Sequence, residues 1–338
     1  MSELIQFIEQ AGEWAPLAFL ALFALASALT IWRLNAMTEY GFQGTALGTL
    51  VMPFCSGLGN LIFVYIVLDR GGPAQDVFTN ALVNNTTNLT LLIGLPALIW
   101  GLRVTPGDED KKGTTAPKAK AKTQEHALNR LSLMLTILAV LFFTGATWAL
   151  AQDGKLDFGD GLVLVGLFVF WQTIHVFEVL KHNLQQKQSP NPLRLMFDLA
   201  LLGVGACLLY VSIDWLVAWL GKNPSGFLSA KNLGWLSGWL MVIPNALLAL
   251  YYGWRRRPDI VFSSQVGDGH ICIPLCIGLF ALVKPMPVPK FFEQAALVIV
   301  GAAVVHFIFV AAIGRLPRFM GAAMIAAYGW FLYAGLLT

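Results

Sequence analysis

From Thr79 to Gly101 the chain reads TNALVNNTTNLTLLIGLPALIWG, and its seven residues Asn84 to Thr90, NNTTNLT, hold six polar side chains inside an otherwise apolar run. A run of this length reads as a membrane crossing, which raises the question of why it carries polar groups. That the segment crosses a membrane follows first from the whole chain. Of its 338 residues 57% are hydrophobic and only 12% charged, with a mean hydropathy of +0.67. Soluble domains carry roughly 25% charged residues. Here the charge is confined to short gaps between apolar stretches of about 20 residues, the length of a helical bilayer crossing. The sequence therefore describes a polytopic all-α membrane protein.

Apolar runs between charged or Pro/Gly-rich breaks predict ten spans, at 15–34, 43–68, 77–102, 129–151, 158–181, 194–220, 232–254, 259–283, 292–313 and 317–337. The break RVTPGDEDKKGTTAPKAKAKTQEHALNR after the third span is charged, rich in Lys and Ala, and lacks an apolar period, so residues 103–129 read as a mobile loop. The N-terminal MSELIQFIEQAGEW carries three glutamates and no Lys or Arg, unlike a cleavable signal peptide, so the first span is expected to persist. All four cysteines fall in apolar segments and read as packing residues.

Lys and Arg orient the spans. The side on which even-numbered spans begin collects 16 of them and the opposite side 6. The positive-inside rule makes the basic side cytoplasmic, which places both termini outside the cell (inner) membrane and the 103–129 loop in the cytoplasm. Five spans per half also make the second half enter from the opposite side, the arrangement of inverted repeats. The implied division is 1–102 for helices 1 to 3 of the first repeat, 103–129 for the loop, 130–184 for helices 4 and 5, and 185–338 for the second repeat. Local patterns agree: SGLGN (Ser56 to Asn60) precedes Asn84 by 24 residues, and IPN, ending at Asn245, precedes Asp268 by 23.

On a helix Asn80, Asn84 and Asn88 form one stripe flanked by Thr87, and Ser264, Asp268 and Cys272 form its counterpart. Amide, hydroxyl and carboxylate oxygens are hard ligands, and breaks at Gly57, Gly59, Pro244, Gly267 and Gly269 could add backbone carbonyls. The expected cation site comprises Ser56, Asn60, Asn84, Thr87, Asn88, Asn245, Ser264 and Asp268, with Asn60, Asn84, Asn88, Asn245 and Asp268 as direct ligands. The plainer reading is that these residues hydrogen-bond across helices without binding anything. Asp268 argues against it, because a carboxylate at mid-membrane costs at least about 2.5 kcal/mol unless paired or hydrated. His270, turned away from that stripe, reads as a packing residue. Glu178 with Lys181 and His182, and Asp198 with Arg194, read as local ion pairs.

Enzyme motifs are missing: QVGDG lacks the first glycine of the intramembrane aspartyl protease pattern, the FCSG and WLSG serines lack that of rhomboids, and there is no H-E-x-x-H. No cofactor is expected. Partners are inorganic cations and membrane lipid; scattered interspan lysines offer no nucleic-acid surface, and homo-oligomerisation stays open.

At these clusters the chain resembles the calcium/cation antiporter superfamily, which includes the sodium/calcium exchangers. That resemblance implies ten core helices in two inverted repeats, each with a motif like F-G-T-S-L-P-E-L followed by one like G-N-V-I-G-S-N-I-x-N-I-x-L-V-L-G-L. FCSGLGNL (54–61) and TNALVNNTTNLTLLIGL (79–95) are similar to the first pair. VIPNA (242–246) and PDIVFSSQVGDGHICIPLCIGL (258–279) are similar to the second, whose longer form reads P-D-L-A-L-G-N-V-I-G-S-N-I-F-N-I-L-L-V-L-G-L. The ion-binding glutamate of each repeat is asparagine here, Asn60 and Asn245, and the small hydroxyl residue three positions earlier is Gly57 or Val242. Conversely, the Ser of G-S-N is Asn84 in one repeat and Asp268 in the other. The resemblance implies a secondary cation antiporter working by alternating access, with altered calcium handling: Ca²⁺ against one carboxylate leaves a net +1, whereas Na⁺ is neutralised. A monovalent-cation carrier and a transport-inactive structural subunit are the alternatives.

Overall fold

The computed structural model describes residues 2–37, 52–104, 116–183, 192–223 and 225–337. They form helices α1 (Ser2–Glu9), α2 (Ala15–Met37), α3 (Met52–Asp69), α4 (Ala74–Thr87), α5 (Ile93–Trp100), α6 (Ala116–Leu150), α7 (Phe158–Asn183), α8 (Pro192–Gly221), α9 (Leu233–Trp254), α10 (Pro258–Ile271), α11 (Gly278–Ala281), α12 (Phe292–Ile308) and α13 (Arg318–Leu336). Two-residue strands β1 (Leu102–Arg103), β2 (Lys155–Leu156), β3 (Met286–Pro287) and β4 (Arg315–Leu316) complete the regular structure. Eight helical runs among the described residues are long and apolar enough to cross a membrane, and Gly57–Asp69 and Phe158–Ile174 are shorter apolar helices. Helix is the form an isolated apolar segment must take in lipid, because it satisfies every backbone N–H and C=O internally. Large apolar residues such as Leu25, Phe170 and Leu297 are exposed while Asn60, Asn84, Asn88, Asn245 and Asp268 are fully buried, the inverse of a soluble protein.

Three departures from α geometry matter for the interior. Asn88–Leu92 joins α4 to α5, Cys272–Ile277 joins α10 to α11, and Phe309–Ile313 follows α12, all as π-helical turns. The anticipated breaks at glycine and proline did not materialise: α3 runs through Gly57 and Gly59, α9 through Pro244, and α10 through Gly267 and Gly269. At several positions glycine is instead needed for close packing. A Cβ on Gly57 would lie 2.6 Å from Ile271, and one on Gly238 2.7 Å from Val83, so α3 meets α10, and α9 meets α4, at backbone distance.

The strand pairs link helix ends that alternate crossing places together. β1 pairs antiparallel with β4 (Leu102 with Leu316, Arg103 with Arg315), and β2 with β3 (Lys155 with Pro287, Leu156 with Met286). The segment ending at Trp100 therefore ends beside the one ending at Ile313, and α6 ends beside α11. Contacts at the helix ends follow the same division, with Arg130 donating to the Ala311 carbonyl, Arg33 paired with Asp198 at 3.1 Å, Arg70 paired with Asp214, and Lys284 Nζ 3.4 Å from the Gly72 carbonyl. Arg33 is thus a partner of Asp198 from a different helix, beyond the expected local pairing with Arg194. Glu178, Lys181 and His182 have side chains outside the described residues.

The loop reading of 103–129 needs correction at its C-terminal end. Helix α6 begins at Ala116, well before the apolar span. The residues added, APKAKAKTQEHALN, are rich in Ala, Lys, Gln and Glu, strong helix formers that extend a helix already nucleated by its apolar part. Residues 38–51, where the second span was expected to start, and 105–115 lie outside the described residues.

Candidate ion-binding site

Five of the predicted ligands meet in one hydrogen-bonded chain. Asn88 Nδ2 donates to Asp268 Oδ2 at 2.9 Å and to Asn84 Oδ1 at 2.8 Å. Asn245 Nδ2 reaches the same Asp268 oxygen at 3.2 Å and Asn88 Oδ1 at 3.4 Å. Asn84 Nδ2 in turn donates to Asn60 Oδ1 at 3.4 Å. The helices explain the convergence. Asn84 and Asn88 are one turn apart, Asn60 arrives on α3 and Asn245 on α9, and Asp268 sits near the end of α10 immediately before its π turn.

One charge sets the polarity of this chain. An ionised carboxylate only accepts, so both amides beside Asp268 present nitrogen to it. Asn88 then turns its other N–H to Asn84 Oδ1, and Asn84 turns its nitrogen to Asn60. The last amide nitrogen, Asn60 Nδ2, finds no partner. Coordination of a cation at Asp268 by Asn88 or Asn245 requires their oxygens to face it, a rotation of about 180° at the end of each side chain.

The remaining predicted residues stand further off. Ser264 Oγ donates to the Val261 carbonyl at 3.2 Å, and Thr87 Oγ1 donates to the Val83 carbonyl at 2.6 Å and lies 3.3 Å from the Tyr328 hydroxyl. Asn80 leaves the stripe to donate to Ser237 at 3.0 Å. These bonds make Thr87 and Asn80 ties between helices. Ser56 lies on α3, but its side chain is outside the described residues. Cys272 is buried at the start of the π turn, and His270 Nε2 meets the Thr136 carbonyl at 2.9 Å with its ring edge-on to Phe143 and Trp171, the packing role expected of it.

The sequence-family model described as sodium/calcium exchanger protein matches residues 14–177 and 197–337, nearly the whole chain. The chain belongs to the sodium/calcium exchanger family. Its fold is similar to solved structures of the sodium-calcium exchanger NCX_Mj. One, soaked with 2.5 mM Na⁺ and 10 mM Sr²⁺, aligns at a TM-score of 0.65 and 20% identity over 99% of this chain and 100% of that one. Another, soaked with 2.5 mM Na⁺ and 0.1 mM Ca²⁺, aligns at 0.63 and 19% identity over 95% and 96%. At such identity the likeness speaks for the fold alone. No curated protein matches the chain significantly.

Within this member of the exchanger family, three interior residues escaped sequence reasoning. Gln265 is fully buried on α10 and donates to the Asn245 carbonyl at 3.1 Å and to Ser264 Oγ at 2.9 Å. His306 on α12 brings Nε2 to the Leu89 carbonyl at 2.7 Å. An α-helix would pair that carbonyl with the N–H of Ile93, but Ile93 bonds Thr90 instead, so the histidine takes up an acceptor in the π turn directly after Asn88. Tyr328 on α13 accepts from Trp239 Nε1 at 2.8 Å, and its hydroxyl lies 3.3 Å from Thr87 Oγ1. A mid-span Gln or His next to a polar stripe was the available signal; its partner, on a distant helix, was not.

Proposed function

We propose that this protein is a secondary active cation antiporter that works by alternating access, with ten spans in two inverted five-helix repeats and an ion site centred on Asp268, Asn88, Asn245, Asn84 and Asn60. The observation that carries this reading is the single carboxylate at the meeting point of α4, α9 and α10. Among the described residues the fully buried acids are Asp268 and Asp198, and Asp198 is taken by Arg33. A group that costly to bury, held by amides from both halves of the chain, is what cation binding requires and what interhelical bonding alone does not.

Its charge defines the ion class. Na⁺ beside one carboxylate is neutral overall. Ca²⁺ keeps one uncompensated charge, and at an effective dielectric of about 20 a missing second carboxylate at 4 Å forfeits about 8 kcal/mol of attraction, twice the value for a unit charge. The exchanger is therefore one in which monovalent ions bind well and calcium poorly. The positive-inside bias places both termini outside and the basic ends of the helices in the cytoplasm. Reconstitution into liposomes with separate Na⁺, Ca²⁺ and proton readouts tests the reading. Flux of Na⁺, coupled to Ca²⁺ or to protons, supports it; folded protein that moves none of the three marks a transport-inactive member of the family.

A further inference from the structure

Gln265 lies three residues before Asp268, on the same face of α10, with no exposed surface. Its Nε2 is held by the Asn245 carbonyl and Ser264 Oγ. A carbonyl only accepts, so this contact settles which end of the amide is nitrogen, and Oε1 points the other way. That oxygen has no hydrogen-bond partner. Asn245 repeats the pattern, since turning Nδ2 to Asp268 and Asn88 leaves Oδ1 unpartnered as well. Two buried amide oxygens without donors therefore belong to residues that touch each other, one of them hydrogen-bonded to Asp268. Burying an acceptor without a donor is unfavourable, and a cation relieves it at both atoms. In the exchanger motif quoted above this position holds valine, so the amide is a feature of this chain.

We propose that Gln265 Oε1 and, once its amide has turned by about 180°, Asn245 Oδ1 form with the Asp268 carboxylate an alkali-cation subsite in which Gln265 raises the preference for Na⁺ over divalent ions. The proposal rests on Asp268 being the charge of the ion site. A neutral oxygen adds coordination without adding charge, so the subsite stays balanced for a monovalent ion and remains one charge short for a divalent one.

Thermal unfolding of the purified full-length protein in detergent tests this, with NaCl or CaCl₂ titrated against choline chloride at fixed ionic strength. Gln265→Val should shift the Na⁺ concentration for half-maximal stabilisation upward by at least about tenfold, as expected for losing a ligand to a charged group. Gln265→Glu, which adds a second carboxylate, should lower the Ca²⁺ midpoint by at least about tenfold. If both variants fold and keep the wild-type midpoints, Gln265 only braces the Asn245 backbone and the subsite is refuted. Should Gln265→Val fail to fold, the Ca²⁺ arm of Gln265→Glu decides. Asp268→Asn separates the two levels: loss of the Na⁺ response there, with unchanged Gln265 variants, removes the subsite alone, whereas a wild-type response there removes the ion site itself. Wild-type protein that answers to no Na⁺ concentration overturns both.

Discussion

Replacing Asp268 by Asn removes the charge of the network while keeping its shape. In the wild type, Oδ2 accepts from Asn88 at 2.9 Å and from Asn245 at 3.2 Å, and the carboxyl is fully buried. The variant keeps one acceptor oxygen for those two donors, and each bond falls from the charge-assisted range of about 1.5–3 kcal/mol to about 0.5–1.5 kcal/mol. Against that loss stands the desolvation of a buried carboxylate, itself several kcal/mol. The two terms oppose each other, so without cation the variant should unfold within about 1 kcal/mol of wild type or above it. Binding should change far more. At an effective dielectric of about 20 the attraction between a monovalent ion and a carboxylate 4 Å away is about 4 kcal/mol, so the Na⁺ dissociation constant should rise about a thousandfold. At 100 times its dissociation constant a ligand stabilises the folded state by about 2.7 kcal/mol, a shift that wild type should show and the variant lose. Thermal unfolding with NaCl against choline chloride measures both quantities. A variant that loses more than about 3 kcal/mol in choline chloride, or that keeps the wild-type Na⁺ response, would show that Asp268 holds helices together and does not bind ions.

Restoring the two family glutamates, Asn60→Glu with Asn245→Glu, should strengthen Ca²⁺ binding relative to Na⁺, since the divalent ion gains twice as much from each added charge; calorimetric titration with both ions reads the ratio, and an unchanged ratio counts against the charge argument. His306→Ala leaves the Leu89 carbonyl without its donor and should cost about 1–3 kcal/mol of stability, while His306→Gln, which can return an N–H, should recover part of it; equal losses in chemical denaturation would mean that ring packing against Phe262, and not the bond, matters. For topology, a cysteine at exposed Gln152 should react with an impermeant maleimide in intact cells and one at exposed Arg103 only after permeabilisation, above the background of the native cysteines; the opposite pattern inverts the orientation.

Much of the candidate site was legible because the features that mark it are local. Asn84 and Asn88 share a helix face by spacing alone, and the matching intervals from Asn60 to Asn84 and from Asn245 to Asp268 pair the two clusters in the sequence itself. The cost of a mid-membrane carboxylate singled out Asp268 from composition and position. Span content followed from apolar length, because lipid leaves a helix as the outcome for each such segment.

Tertiary structure decided whatever depends on a partner remote in sequence. Gly57 and Gly238 carry the same residue type whether they break a helix or admit a neighbour; Ile271 and Val83 at 2.6 and 2.7 Å settle it as close packing. The π turns after Thr87 and Ile271 are shifts in backbone pairing with no side-chain signature, and the donor that meets the Leu89 carbonyl, His306, is 217 residues away. Which atom of each asparagine faces Asp268 is likewise invisible in the sequence, since an amide is donor and acceptor at once until a fixed neighbour orients it. Sequence alone determined that a charge and a set of amides lie inside a membrane helix bundle. Only the packing of α3, α4, α9 and α10 determined that those amides form one chain in which Asn88 and Asn245 turn their nitrogens to the charge, because that polarity is set by contacts across helices.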